Sequence, residues 1–232
     1  MIASFTLAGK DASSFLQRLI SQNIQLVETN RQIPSLMLDA NGKVLCLFWL
    51  TRIDEGFVIT SHQKEIAVLR ERLDFYQFSE ELFFGETSEL SEGQLPWSNK
   101  TLPIDTKDFE ELRLQAALLW PAADFNESRL VFELGYEKFC SDSKGCYIGQ
   151  EVVERVRSRG GGSPFRLCVL KTQGQLTESE ELFSSGEKVG QVVILPQKPD
   201  CCLARVKTKF VETNAELVGK SGQLTNILSY FE

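Results

Sequence analysis

The run Gly160-Gly161-Gly162-Ser163-Pro164 constrains this chain more than any other segment, because three glycines and a proline cannot continue a helix or a central strand. The hydrophobic pattern differs on its two sides. Before it, Phe5 to Gly9 reads as a short strand and turn. Asp11 has the placement of a helix cap, and Phe15, Leu16, Leu19 and Ile20 share one face behind it. Residues 33–60 read as a meander with Asn41-Gly42 as its hairpin signal. Ile66, Leu69 and Leu73 predict a helix over 62–75, and Leu82 to Thr87 a strand. Residues 88–108, broken by Pro96 and Pro103, read mostly as loop. Leu112 to Leu119 reads as a buried helix that Pro121 ends. After the break, short β-rich runs at 167–171, 188–195, 203–206 and 215–218 alternate with turns, the pattern of a small antiparallel barrel or sandwich. The expected fold is therefore α+β. Its body spans 1–160, divisible near residue 88 into two subdomains (1–88 and 89–160), and a C-terminal antiparallel β-barrel spans 161–232.

Composition narrows the function classes. The 232 residues carry a net charge of −7, which argues against broad electrostatic binding to nucleic acid. There is no apolar run of about eighteen residues, so no membrane span is expected. The start, Met1-Ile2-Ala3-Ser4-Phe5-Thr6, lacks a basic segment and a long apolar one, so the expected location is cytoplasmic. Cys46, Cys140, Cys146, Cys168, Cys201 and Cys202 form no CxxC, and reduced thiols are the reading for such a chain. A single histidine, His62, leaves little room for a Ser-His-Asp triad or a zinc site. Following Ser61 at a helix start, it reads as a solvated first-turn residue.

The segment richest in chemistry is Lys144-Gly145-Cys146-Tyr147-Ile148-Gly149-Gln150-Glu151. It places a cysteine between glycines, two residues after a lysine and just before a predicted helix carrying Arg155, Arg157 and Arg159. Glycines allow a tight turn and close approach, and positive charge or a helix N-terminus favours thiolate over thiol.

This octapeptide resembles the signature Lys-Gly-Cys-Tyr-x-Gly-Gln-Glu of the YgfZ family of folate-binding proteins linked to iron–sulfur cluster maintenance. That family is the branch of the glycine-cleavage T-protein superfamily that looks non-catalytic. Leu7-Ala8-Gly9-Lys10-Asp11-Ala12 with Phe15-Leu16 is similar to the superfamily's opening segment. Leu38 to Val44 is similar to its first hairpin. The resemblance implies a T-protein-like body with a central pocket, tetrahydrofolate as ligand, and no stably bound metal. It further implies a role in assembly or repair of iron–sulfur proteins, including ones that modify tRNA, with those proteins or their assembly machinery as partners.

Two departures bear on mechanism. Aminomethyltransferases carry an Asp-Asp pair where this chain has Cys46-Leu47, which supplies no carboxylate. Aminomethyl transfer is therefore not expected. Their folate-gripping glutamate corresponds to Gln115 in Leu112-Arg113-Leu114-Gln115-Ala116-Ala117, whose amide can donate and accept but brings no charge. A folate-dependent one-carbon transferase with another acid–base group is the alternative, with Asp39 and Asp124 as candidate carboxylates. A degenerate member that only binds a protein partner is the third reading.

Each candidate also has a local explanation. Cys146 is either a small buried residue or the functional thiol, acting as redox or cluster partner or as nucleophile. Lys144 is a surface cation, or it favours the Cys146 thiolate, or it pairs with an anionic folate tail. Tyr147 is core, or its ring meets a flat heterocycle. Gln150 and Glu151 open a helix, and Glu151 can pair with Arg155 four residues on. Arg155 with Arg159 could instead form an anion patch. Cys140 reads mainly as structural, and Trp120 is the aromatic nearest in sequence to Gln115.

Overall fold

A computed structural model describes residues 1–29, 31–90, 92–94, 101–103, 109, 113, 116, 118–125, 127–160, 162–174, 176–194, 201–213 and 215–230. The chain divides into two compact units. One comprises Met1–Phe109, Trp120–Leu130 and Glu137–Ser158, the other Glu110–Leu119, Val131–Tyr136 and Arg159–Glu232.

The first unit is built on an antiparallel sheet. Its strands are β1 (Ile2–Ala8), β2 (Ile33–Leu38), β3 (Lys43–Ile53), β4 (Gly56–His62) and β5 (Phe83–Phe84), in the order β2-β3-β4-β1-β5. A strand β6 (Ser88–Leu90) also pairs with β1. β7 (Glu92–Gln94) pairs with β8 (Thr101–Pro103), and β9 (Arg129–Leu130) with the start of β3. Alternation decides what faces inward. Ala3, Phe5 and Leu7 of β1, Cys46, Phe48 and Leu50 of β3, and Phe57 and Ile59 of β4 join one core. Two helices close that core. α1 (Ala12–Leu19) contributes Phe15, Leu16 and Leu19, and α2 (Gln63–Tyr76) contributes Ile66, Leu69 and Leu73. Burying each such side chain is worth about 1.5–3 kcal/mol. Two further helices, α3 (Pro121–Asp124) and α5 (Gln150–Ser158), also belong to this unit.

The second unit holds a closed barrel of β10 (Phe165–Thr172), β11 (Glu181–Ser184), β12 (Glu187–Ile194), β13 (Cys201–Lys207), β14 (Leu217–Gly219) and β15 (Leu224–Tyr230). Its strand order is β10-β13-β12-β11-β14-β15. Closure comes from β10 pairing with both β13 and β15, which leaves no sheet edge. Cys168, Leu170, Val189, Val192, Cys202 and Val206 fill it. α4 (Val131–Leu134) is tied to the barrel by Glu133, whose carboxylate accepts from Arg205 Nε at 2.8 Å, and α6 (Thr208–Glu212) follows β13. Among the described residues no helix is long and apolar enough to cross a membrane.

Several local expectations are corrected. Asp11 sits at the N-cap of α1, but its side chain accepts from Glu81 N (2.9 Å) rather than from the helix. His62 is half-buried at the N-cap of α2 rather than in its first turn: its ring accepts from Lys64 N and stacks on Trp120 at 6.1 Å. The expected strand 82–87 is shortened to β5: Gly85 N still donates to Thr6 O in the same register, and pairing with β1 then resumes at β6 shifted by one residue. Within 88–108, read as loop, lie β6, β7 and β8, where sheet pairing overrides polar composition. Pro121 opens a helix, its missing N–H harmless at the first position. The tail holds two strands the pattern did not reveal, β11 and β15, in which apolar residues lie on both faces: Leu182 is buried beside a partly exposed Phe183, and Leu224 and Leu228 are exposed beside a buried Thr225. The expected helix over 112–119 falls mainly outside the described residues.

Candidate functional site

The octapeptide ends the loop that follows a 3₁₀ turn, Glu137–Phe139, and its last two residues open α5. Two glycines explain its course. Gly149 has φ +81°, and a Cβ there would lie 2.5 Å from Asp39 O and 3.3 Å from Gly42 Cα. Gly42, at φ +73° in the β2–β3 turn, would bring its own Cβ to 2.9 Å from Val152 Cβ. The motif and the first hairpin therefore meet backbone to backbone, a contact only glycine permits. Asp39 shapes the hairpin side by accepting from Asn41 N and Lys43 N, both at 2.9 Å. It is a turn residue, not a free carboxylate.

Around this junction the motif side chains divide by direction. Lys144 turns inward. Its Nζ donates to Ile20 O (2.6 Å) and Gln22 O (3.0 Å), just beyond the C-terminus of α1, and lies 5.1 Å from the Tyr147 ring centroid. Burial lowers its pKa from 10.5 to about 8, against a smaller opposing influence of Cys140. Two of the three ammonium N–H donors are thus committed to backbone carbonyls that tie the loop to the end of α1. Tyr147 is buried, and its hydroxyl has the Cys140 thiol as polar neighbour, a weak partner; desolvation raises its pKa. Ile148 packs on the sheet core. Cys146 is exposed, and a Cβ at Gly145 would meet nothing within 4 Å.

The loop is pinned at both ends. Arg157 on α5 donates to Glu137 O (2.7 Å) and Cys140 O (2.5 Å) and pairs with Glu154 (2.8 Å). Ser141 N donates to Ser21 O, and Ser21 Oγ donates to Phe139 O and accepts from Leu36 N. Cys140 is buried, and desolvation pushes its thiol up to about 11, so it is the less reactive of the two loop cysteines. Glu151 pairs with Arg155 on the solvent side of α5, and Gln150 is half-buried at the helix start. α5 ends at Ser158, before Arg159, so the two arginines do not share a helix face. Gln115 lies outside the described residues.

A second polar centre in the same unit is one that sequence reasoning missed. Glu65 is fully buried on α2. Its Oε2 accepts from Leu47 N (2.7 Å), and its Oε1 accepts from Ala122 N (2.6 Å) and Ala123 N (3.1 Å). Ser61 Oγ donates to Leu47 O, so helix and strand side chains satisfy a β3 residue whose pairing with β4 begins only at Trp49. Burial raises the Glu65 pKa from 4.5 to about 8, outweighing the three N–H donors; Asp124 adds to the rise. Asp124 itself accepts from Trp120 N (2.7 Å). Trp120 meets Trp49 edge-on at 5.3 Å and stacks on His62. The available signal was the spacing: Glu65 is in register with Leu69 and Leu73, on the apolar face of its helix. Cys46, which precedes Leu47 on β3, is wholly buried with a raised pKa, first by desolvation and then by Glu65. Among the described residues no group of three or more His, Cys, Asp or Glu side chains is arranged to hold a metal ion.

No family model matches the chain, and no curated protein matches it. Among solved structures it is similar to the glycine cleavage system aminomethyltransferase T from Bartonella henselae. The TM-score is 0.76 and the identity 15%, over 100% of this chain and 86% of that one. At that identity the likeness speaks to architecture alone. The chain has a T-protein-like α+β fold with a closed antiparallel barrel.

Proposed function

We propose that this protein is a tetrahydrofolate-binding accessory factor that supports assembly or repair of iron–sulfur proteins, with Cys146 as its working thiol. The observation that carries the reading is the division of the motif before α5: Lys144, Tyr147 and Ile148 anchor the loop, and the Cys146 side chain is left at the surface, as Glu151 is on the helix that follows. A thiol offered on a pinned loop suits transient exchange with a partner's cluster or with an oxidised thiol. The T-protein-like fold supports folate as the ligand. Tyr147 and Trp120 are enclosed by protein contacts and offer no open ring face, so the folate contact rests on Gln115.

Aminomethyl transfer lacks its carboxylate on this reading, because Cys46-Leu47 is buried and apolar. The transferase alternative would need another proton carrier. Glu65 reaches Leu47, but both its oxygens are occupied by backbone donors and it has no exposed surface. The test has two arms. Calorimetric titration with tetrahydrofolate should give saturable binding, weakened about tenfold by Gln115→Ala and unchanged by Cys146→Ala. In cells lacking the protein, Cys146→Ala should fail to restore cluster-dependent enzyme activity. Full restoration by that variant would remove the thiol from the mechanism, and no folate binding by the wild type would leave partner capture as the function.

A further inference from the structure

Phe75, Phe78 and Phe83 are 68%, 87% and 70% exposed, and they fall within nine residues of chain. Phenylalanines this open are uncommon on a surface that meets only water, and a cluster of them marks a contact face. They sit where the last turn of α2 passes through a tight corner into the edge strand β5. That corner is held in shape. Glu80 accepts from Phe78 N (2.8 Å) and Ser79 N (3.2 Å) and pairs with Arg18 of α1, while Gln77 Nε2 donates to Glu80 O (3.2 Å). Asp11 accepts from Glu81 N, and Lys10 pairs with Glu81. The phenyl groups are thus displayed on a preorganised frame, which lowers the ordering cost of binding.

Charge decides what can cover them. Glu71, Asp74 and Glu86 are exposed beside the corner, and none has an ion-pair partner among the described residues. Most of the nearby cations are already engaged. Lys10 and Arg18 hold Glu81 and Glu80, and Arg70 lies against the Phe5 and Phe84 rings and donates to Gly85 O. The remaining cation, Arg72, is half-buried on α2 and is outnumbered by the exposed carboxylates. A second copy of the chain would bring carboxylates against carboxylates. An anionic lipid surface or a nucleic acid would meet the same repulsion.

We propose that the Phe75–Phe83 corner is a docking surface for a basic, amphipathic segment of another protein, its apolar side chains covering the phenyl groups and its lysines or arginines meeting the surrounding carboxylates. Phe78, the most exposed of the three, is the central anchor, and the carboxylates set orientation and speed of encounter. This surface is separate from the folate and thiol reading and does not depend on it.

The experiment uses the full chain and two labelled amphipathic peptides of about five helical turns, one of leucine and lysine, one of leucine and glutamate. Fluorescence anisotropy should show saturable binding of the Leu/Lys peptide and none of the Leu/Glu peptide. Phe78→Ser with Phe83→Ser should weaken it at least about tenfold, and Glu71→Lys with Asp74→Lys should weaken it and remove its salt dependence. All four residues are exposed, so unchanged thermal unfolding is expected and separates lost binding from lost fold. The proposal is overturned by undiminished binding to the phenylalanine variants, by equal binding of the Leu/Glu peptide, or by no binding of the Leu/Lys peptide. Sedimentation of the wild type as a dimer that Phe78→Ser makes monomeric would assign the surface to a second copy instead. Retention on anionic vesicles, lost in the same variant, would assign it to a membrane.

Discussion

Lys144 and Glu65 perform the same task with opposite charge. Lys144 satisfies carbonyls just past the C-terminus of α1, and Glu65 satisfies N–H groups in the first turn of α3 together with Leu47 N. Each charge has the sign its helix end favours. Even so, burial moves both groups toward their neutral forms, the lysine down to about 8 and the glutamate up to about 8. Desolvation therefore outweighs well-formed hydrogen bonds in both places. The two differ in depth: Glu65 has no exposed surface, whereas Lys144 is half-buried at the root of a surface loop. A deep group fixes how elements join, and a shallow one fixes what a loop presents.

The sharpest way to break the comparison is to remove the deeper group. Glu65→Ala strands three N–H donors and should cost about 4 kcal/mol in urea unfolding, since each unsatisfied buried group costs about 1–3 kcal/mol and the penalties overlap. Glu65→Gln keeps one acceptor and should cost about half as much. A loss under about 1 kcal/mol for the alanine variant would mean that water reaches Leu47, Ala122 and Ala123, and that Glu65 is no deeper in effect than Lys144.

The two groups also differ in how far sequence revealed them. Lys144 stood in a motif, and its position was legible, but its direction was not, because the carbonyls it binds are 122 and 124 residues away in sequence. Glu65 was hidden because Ile66, Leu69 and Leu73 by themselves account for the apolar period of α2. The meander, α2 and α5 were readable because their periods are clean and their turns carry glycine. β6, β7 and β8 were not, since short polar strands are specified by their partners rather than by their own residues, and β11 and β15 were not, since their apolar residues fall on both faces and leave no clean alternation. The Gly42–Gly149 contact follows the same rule: each glycine was visible, and their meeting was not.

Next in size is the loop's own anchor. Gly149→Ala requires a left-handed alanine and drives a methyl into Asp39 O, so about 3 kcal/mol should be lost. Gly145→Ala, in open space on the same loop, should stay within about 0.5 kcal/mol. Urea unfolding of the pair reads this directly. Equal small costs would mean that the loop is not locked to the hairpin, and Lys144 would then be its main attachment.

The smallest effect is Lys144→Met, about 1–2 kcal/mol: the carbonyl of buried Ile20 loses a donor, while that of half-buried Gln22 regains water. Its value lies in pH. Lys144 titrates near 8 when folded and 10.5 when unfolded, so between those values the unfolded chain holds more protons and stability rises with pH. Glu65 titrates near 8 when folded and 4.5 when unfolded, so between 4.5 and 8 the folded chain holds more protons and stability falls. Together the two place a minimum near pH 8. Above about pH 9 the raised thiols of Cys140, Cys168 and Cys202 pull stability down again, so each limb is read as a difference between wild type and variant. Subtracting Lys144→Met from wild type should leave a rise that starts near pH 8, and subtracting Glu65→Gln should leave a fall that ends there. A flat difference for Lys144→Met would mean that the ammonium is solvated in spite of its two carbonyls, and the symmetry between the two clusters would fail at its shallow member.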